Sequence, residues 1–342
     1  MKQSVSASLL PEVSFVMPAY NASNFIKRAL DSLLVQKGAK FEIVVIDDCS
    51  TDGTADIVRD YENRYPDIVR LVQMSSNSGC AFIPRRLAIE EARAPLVAPL
   101  DADDWVEPDY LETLLRRRRD TGADIVYPVM YLHDGTTAER FVPAADFPVE
   151  RVWKGRDMVA LTLDGWQIGA GGGIILRELY MECFRRFEMV PSVFADEVLT
   201  RQLLLLASSV AIAETPYFYL MQPDSVTHSP SLKLFDFLQS DRALVSFASD
   251  HWNADEEVPF MAARQLFHNF FRGIRLIASL KGFTPAQRRE ARRLLNVQRR
   301  HIDWRRLRGR VSPRYYALAR LGVRTSLFIL PLYDKFTQQK KH

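Results

Sequence analysis

The sequence predicts an α/β fold, a mostly parallel sheet flanked by helices, followed by a helical, basic C-terminal extension. Short β-branched or apolar runs alternate with helical patterns from Val13 to Leu100, which is the signature of right-handed βαβ units. The residues just past each apolar run are polar, and a parallel sheet binds ligands outside the carboxyl ends of its strands. From Leu232 onward helical spacing dominates and glycine is sparse.

Val13 to Met17 reads as the first strand because its residues favour a pleated, buried surface. Asn24 to Val35 places apolar residues at helical spacing, and Phe41 to Ile46 returns to strand composition. A helix over Thr54 to Tyr65, a strand over Ile68 to Gln73, a helix over Pro84 to Ala92 and a strand over Pro95 to Leu100 complete the alternation. Next come a helix at Tyr110 to Thr121, a strand at Ile125 to Leu132, a polar turn at His133 to Thr137 and a helix around Arg156 to Leu163. The run Gly169-Ala-Gly-Gly-Gly173 precedes a short strand, Ile174 to Leu176. Asp196 to Leu206 reads as a helix, and Ser209 to Tyr219 as a strand broken by Pro216, which lacks a ladder donor. A length of 342 residues suits two domains; the patterns place them at 1–230, divided into halves at 12–110 and 111–230, and at 231–342.

A composition of 47% apolar and 25% charged residues excludes disorder, collagen and coiled coil. No run approaches the ~18 apolar residues of a membrane-spanning helix, and no charged region, long apolar region and cleavage site follow in order near residue 1. Cys49, Cys80 and Cys183 suit neither a disulfide framework nor a zinc site. A reducing cytoplasm is the expected compartment. The net charge of +3 conceals an asymmetry: residues 281–342 carry 17 Lys and Arg against Glu290, Asp303 and Asp334, a net +14, which leaves −11 on the rest. Such a tail is expected to meet an anionic partner.

Asp101-Ala-Asp-Asp104 sets three carboxylates after an apolar strand, where like charges repel unless a cation neutralises them. Hard oxygen ligands suit Mg2+ or Mn2+, which favours a diphosphate substrate. The same residues also fit a solvated turn with Asp104 as a helix cap and Glu107 completing a capping box. Asp47-Asp48 at a strand end suits hydrogen bonding to a nucleobase or ribose, although Ser50 to Gly53 also fits a plain turn and helix cap. No G-x-G-x-x-G phosphate cradle accompanies them. Gly171 to Gly173 suits either close backbone approach to a ligand or a flexible loop, and Trp105 and Trp166 suit core packing better than a sugar platform.

In this order and spacing, Val13-Ser-Phe-Val-Met-Pro-Ala-Tyr-Asn21, Val44-Val-Ile-Asp-Asp-Cys-Ser-Thr-Asp-Gly-Thr54, Asn77-Ser-Gly79 and Leu100-Asp-Ala-Asp-Asp-Trp105 resemble the nucleotide-binding half of family 2 glycosyltransferases with the GT-A fold. The resemblance covers residues 12 to 230 and makes 12–110 the nucleotide-binding half and 111–230 the acceptor half. It implies that Pro18, Tyr20 and Asn21 lie beside the base, and that Asp47, Asp48 and Asn77 read base and ribose. It also implies that Asp101-Ala102-Asp103 touches the ribose and holds the metal. Phe194-Ala-Asp-Glu-Val-Leu-Thr200 is similar to the segment carrying the catalytic base, which places Asp196 in that role. Pro216 to Ser229, with Tyr217, Tyr219, Ser225, Thr227 and His228, looks like the segment near the pyrophosphate, with His228 a further metal or phosphate ligand.

The sequence departs from that pattern at Ala195, where an acid is usual, so Glu197 competes with Asp196 for the base role. Leu220 and Gln222 replace frequent basic residues, and Arg85 is shifted in spacing and is not expected to touch nucleotide. The implied activity is inverting, metal-dependent transfer of a sugar, from a UDP-sugar, onto a saccharide or polyprenyl-linked saccharide in cell-surface polysaccharide synthesis. A metal-dependent nucleotidyl- or phosphotransferase and an inactive sugar-nucleotide binder are the alternatives. The tail mixes arginines with Trp304, Tyr315, Tyr316, Leu321, Phe328 and Leu330, the composition of an interfacial helix on the cytoplasmic face of an anionic membrane. Packing on the acidic first domain or on a second copy, as a homo-oligomer, also accounts for it. Nucleic acid is not expected as a partner, because no binding signature accompanies the charge.

Overall fold

The computed structural model describes residues 10–141, 148–163, 172–222, 231–279 and 282–338. The chain forms two compact units, one of residues up to 191 together with 199–222, the other of residues 192–198 together with the described residues from 231 onward.

The first unit opens with β1 (Val13–Ala19), α1 (Ile26–Leu34), β2 (Phe41–Asp47), α2 (Thr54–Arg64), β3 (Val69–Gln73), α3 (Phe82–Glu91) and β4 (Leu96–Pro99). It continues with β5 (Trp105–Val106), α4 (Tyr110–Thr121), β6 (Ile125–His133), β7 (Ala138–Arg140), β8 (Val152–Trp153), α5 (Gly155–Leu163), β9 (Ile174–Leu176) and α6 (Arg177–Arg186). Helix α7 (Asp196–Leu206) and β10 (Val210–Leu220) follow. One sheet runs β3-β2-β1-β4-β9-β6-β10-β5, with β7 on β6 and β8 on β10.

Strands β3, β2, β1 and β4 are parallel, and the register pairs Ala19 with Asp47 and Val16 with Pro99. The carboxyl ends of β1, β2 and β4 therefore stand side by side, which gathers the segments from Tyr20, Asp48 and Asp101 at one rim. Apolar packing fixes that register. Phe15, Met17, Ile43 and Val45 pack with Ile26, Leu30 and Leu33 of α1 in one buried cluster, and each such side chain contributes roughly 1.5–3 kcal/mol on burial. A slip of one residue would turn every one of them to the other face.

Two expectations change. Pro216 does not break β10; the strand runs on, and its register with β6 shifts between Ile212 and Pro216, which absorbs the missing N–H donor. Strands β5, β7 and β8 and helix α6 were not anticipated. Strand β5 exists through its pairing with β10, Val106 opposite Tyr217 and Trp105 opposite Phe218, and a pairing more than a hundred residues away leaves no local signal.

The second unit holds α8 (Phe237–His251), α9 (Glu257–Ser279), α10 (Pro285–Arg300), α11 (Trp304–Leu307), α12 (Pro313–Leu321) and α13 (Val323–Gln338). Its core is the inner face of α9, where Leu266, Phe267, Phe270 and Ile274 are buried. Helix α10 begins at a capping box between Thr284 and Gln287, a device that satisfies two otherwise orphaned donors. Among the described residues no helix is long and apolar enough to cross a membrane.

Candidate active site

The loops after β1 and β2 are stapled to each other. Asn21 Oδ1 accepts from the Thr51 N–H at 2.8 Å, the Asn21 N–H donates to Ser50 Oγ at 2.9 Å, and the Ala22 N–H donates to Thr54 Oγ1 at 2.8 Å. Asp52 accepts from the backbone of Ser23 and from the N–H and hydroxyl of Thr54. Partial burial pushes Asp52 up, but these hydrogen bonds outweigh it and hold it at about 2. Asn21 and Cys49 sit at φ +48° and +62°, positions that non-glycine residues adopt rarely and that cluster at functional sites. Asn21 is thus spent largely on loop geometry. Pro18 is buried within β1, whereas Tyr20 is half exposed at the rim.

The two adjacent aspartates after β2 differ in what they touch. Asp48, 3% exposed, is saturated: its carboxylate accepts from the Ser78 N–H and hydroxyl, both at 2.8 Å, and from Asn77 Nδ2 at 2.9 Å. The predicted nucleotide readers Asp48 and Asn77 are brought together, but bonded to each other. Asp47, 1% exposed, accepts from the Ser50 N–H through Oδ2 at 3.2 Å. Its Oδ1 is buried with no partner among the described residues. A buried carboxylate oxygen left unpaired costs roughly 1–3 kcal/mol or more, so this atom is an acceptor whose capacity no described residue uses.

The acidic turn after β4 also divides. Arg85 Nη2 lies 2.7 Å from Asp101 Oδ1, and Gln222 Nε2 donates to Asp103 Oδ2 at 2.6 Å. Asp104 is buried; it accepts from the Tyr217 hydroxyl at 2.6 Å and from the Leu220 N–H at 2.9 Å. The Tyr217 hydroxyl also accepts from the Asp101 N–H at 3.4 Å, so β10 clamps the turn at both ends. Arg28 donates to the Asp103 carbonyl at 2.8 Å and stacks over Trp105 at 3.6 Å. Trp105 in turn stacks on Phe218.

Asp104 therefore neither caps a helix nor joins a carboxylate trio; α4 starts later, with Asp109 in the cap position, and both Asp104 oxygens are taken. Burial, then the charges of Asp103 and Asp101, push Asp104 well above the usual carboxylate range. Burial and the neighbouring Asp101 raise Asp103 to about 6. Two carboxylates flanking buried Ala102, with the charge of Asp101 adding to the rise of Asp103, are a donor set that would suit a hard dication. Asp101 and Asp103 fit Mg2+ or Mn2+, and Asp104 does not. Among the described residues no three His, Cys, Asp or Glu side chains gather as a ready metal cage.

Gly173 donates its N–H to Tyr110 Oη at 2.6 Å, and a Cβ there would lie 2.4 Å from the Val126 carbonyl. A Cβ on Gly172 would lie 2.5 Å from the Tyr217 ring. These two glycines permit close packing rather than a loose loop. His228, Ser225, Thr227, Trp166 and residues 169–171 lie outside the described residues. In the second unit, Asp196 and Glu197 form the first turn of α7 and are partly exposed. Gln265 Nε2 lies 3.4 Å from Glu197 and 3.5 Å from buried Asp241. Sequence reasoning passed over Arg28, gave Arg85 no nucleotide contact and named Gln222 only as a departure from the family pattern; their contacts with the acidic turn left no local signal.

The Glycosyl transferase family 2 profile matches residues 14–184, half of the chain. The chain belongs to that family. TuaG of Bacillus subtilis (strain 168), named as a teichuronic acid biosynthesis glycosyltransferase, is 36% identical over 138 residues, 40% of this chain and 54% of that protein. The succinoglycan biosynthesis protein ExoO of Rhizobium meliloti (strain 1021) is 41% identical over 117 residues, 34% of this chain and 32% of its own length. The match thus spans about half, or less, of these relatives. The S. aureus TarS 1–349 structure in complex with UDP-GlcNAc superposes with a TM-score of 0.71 at 20% identity, covering 95% of this chain and 92% of that chain. This likeness shows a common fold, the GT-A fold.

Proposed function

We propose that the protein is an inverting, metal-dependent glycosyltransferase that moves a sugar from a nucleotide-sugar, a UDP-sugar, to a saccharide or lipid-linked saccharide of a cell-surface polysaccharide. The observation that carries the proposal is the buried, unpartnered Asp47 Oδ1 at the end of β2, beside the strand ends that present Tyr20 and Asp101. The N3–H of uracil is a donor of the kind that atom lacks, whereas cytosine offers only an acceptor at that position. Tyr20, half exposed, flanks the same rim and suits stacking on the base.

Asp101 and Asp103 would hold the dication, which would supply Lewis-acid charge neutralisation to a departing diphosphate. Gln222 fixes the Asp103 carboxylate and Tyr217 fixes the turn, so the ligand geometry is set before substrate arrives. Asp196 takes the proton of the acceptor hydroxyl as the new bond forms on the face opposite the leaving group, which inverts the anomeric centre. Gln265 Nε2 lies within 3.5 Å of both Glu197 and Asp241.

The relatives named for teichuronic acid and succinoglycan, and the poly(ribitol-phosphate) N-acetylglucosaminyltransferase TarS of Staphylococcus aureus, support a cell-surface polymer as the product. The cationic second unit, with Leu321 and Phe328 exposed, docks on an anionic membrane and brings the site to a lipid-linked acceptor. Flotation with anionic liposomes checks the docking; equal binding after removal of residues 285–342 contradicts it. Calorimetry against UDP, GDP and CMP with Mn2+ checks the donor, and UDP is expected to bind most tightly. Preference for GDP or CMP overturns the donor assignment. Asp196→Asn is expected to keep UDP affinity and lose sugar transfer; retained sugar transfer contradicts Asp196 as the base, and phosphoryl or nucleotidyl transfer without sugar transfer in the parent points to a phosphotransferase instead.

A further inference from the structure

The second unit contains a groove that none of the strand-end motifs enters. On α10, Arg289, Arg292, Arg293, Asn296 and Arg300 recur at spacings of three and four, which places them along one helix face. The first turn of α13 contributes Arg324, and together they line a cavity of about 530 Å3. Neighbouring arginines show the alternative use of the residue type. Arg288 donates to the Ile277 carbonyl at the end of α9, and Arg299 donates to the Ala319 and Arg320 carbonyls at the end of α12. Those two side chains hold helix ends together.

The groove arginines do not. Arg293 pairs with Glu290 at 2.6 Å. Arg289, Arg292, Arg300 and Arg324 are exposed, and among the described residues none has a carboxylate within ion-pair distance. Several like charges around one cavity lie within the ~8–10 Å over which salt leaves them interacting, so they destabilise the bare groove and an anion relieves the strain. Guanidinium is a planar fork matched to phosphate oxygens, and a row of four offers more forks than one phosphate can fill. The N-terminal turn of the sixteen-residue α13 adds backbone donors and the positive end of its dipole. Exposed Leu321 and Phe328 sit at i−3 and i+4 from Arg324, apolar surface of the kind that accompanies a lipid-bearing headgroup.

We infer that this groove binds a ligand carrying two or more phosphoryl groups. Its soluble source is a free pyrophosphate or polyphosphate moiety, and its membrane source is a bisphosphorylated lipid headgroup. The full chain is titrated with pyrophosphate and with inorganic phosphate by calorimetry at fixed ionic strength and with EDTA, so that no dication occupies Asp101 and Asp103. Pyrophosphate is expected to bind at least about tenfold more tightly than phosphate, and Arg292→Gln with Arg300→Gln to weaken it about tenfold or more. Glu290→Gln, which frees Arg293, is expected to tighten it severalfold.

Asp47→Ala leaves pyrophosphate binding in EDTA unchanged, which separates failure of this groove from failure of the donor site, and an unchanged melting midpoint reports that the arginine variants fold. Phosphatidylcholine vesicles carrying cardiolipin, compared with charge-matched phosphatidylserine vesicles, identify the source. Cardiolipin preference that pyrophosphate competes away assigns the headgroup, and pyrophosphate binding without vesicle preference assigns the soluble ligand. Equal affinity for phosphate and pyrophosphate, or pyrophosphate binding indifferent to the arginine substitutions, overturns the inference.

Discussion

The acidic rim of the first unit and the arginine groove of the second handle charge in opposite ways. At the rim each carboxylate has an assigned neighbour: Arg85 on Asp101, Gln222 on Asp103, Tyr217 and Leu220 on Asp104. In the groove the guanidinium groups stand exposed, and among the described residues Glu290 alone answers one of them. Buried, partnered charges keep a fixed direction and interact strongly through a low dielectric, so they select a ligand by geometry. Exposed, unpartnered charges select by charge density and respond to salt. One molecule thus carries a region of fixed, partnered charges and a region of displayed ones.

The comparison breaks most visibly at the rim. Replacing Asp101 and Asp103 together by Asn is expected to reduce sugar transfer by about a thousandfold, the scale of a lost electrostatic stabiliser in the transition state, while the thermal midpoint falls little. A radiolabelled-sugar assay beside a melting curve checks both halves, and transfer within threefold of the parent contradicts the role given to the pair.

A second break separates the two aspartates after β2. Asp48→Ala leaves Ser78 and Asn77 donors unpaired and is expected to destabilise the first unit by about 2–3 kcal/mol. Asp47→Ala removes the unpartnered Oδ1 together with the Oδ2 that accepts a single 3.2 Å hydrogen bond from the Ser50 N–H, so it is expected to cost about 1 kcal/mol, less than Asp48→Ala, and to weaken UDP binding about tenfold or more. Urea unfolding and UDP calorimetry on the two variants distinguish them; matched losses in both would contradict the assignment.

Much of this was legible in the chain. Alternating runs gave the first four strands and their parallel sheet, because each βαβ unit is local, and Asp47, Asp101 and Asp103 fall where a parallel sheet places polar ends. Partnership was not legible. Whether Asp48 meets a nucleotide or Ser78, and whether Asp104 meets a metal or Tyr217, depends on side chains 30 to 113 positions away. Arg85 is an instance of the same limit, since its shifted spacing in sequence still delivers it to Asp101. The tail's charge was countable, but its division between arginines that cap helix ends and arginines that line a groove required the packing of α10 against its neighbours.

Inside the second unit, Asp241 sharpens the contrast by showing a charge that is buried rather than displayed. Burial pushes its carboxyl up to about 7 against an ordinary 3.8, with Glu197 adding to the rise, while Asn269 and Gln265 hydrogen bonds and Arg272 oppose it. Gln298 also donates to it, and Arg242 lies nearby. Between those two values the folded state holds a proton that the unfolded chain has released, so stability is greatest at low pH and is lost as pH rises through about 7. Asp241→Asn is expected to flatten that slope in melts recorded across the interval, and an unchanged slope would refute the origin assigned to it.

The smallest effect concerns salt. Raising ionic strength at constant pH is expected to weaken pyrophosphate binding at the groove severalfold and UDP binding with Mn2+ at the rim less than that. Calorimetry at two salt concentrations reports the ratio, and equal salt sensitivity would erase the distinction between the two regions.

Anomalous diffraction from crystals grown with UDP and Mn2+ tests the central claim most directly. The predicted density has manganese between the Asp101 and Asp103 carboxylates and the diphosphate, with the uracil N3–H on Asp47 Oδ1. Nucleotide bound with Asp47 Oδ1 still unpartnered, or a manganese peak away from both carboxylates, would contradict it.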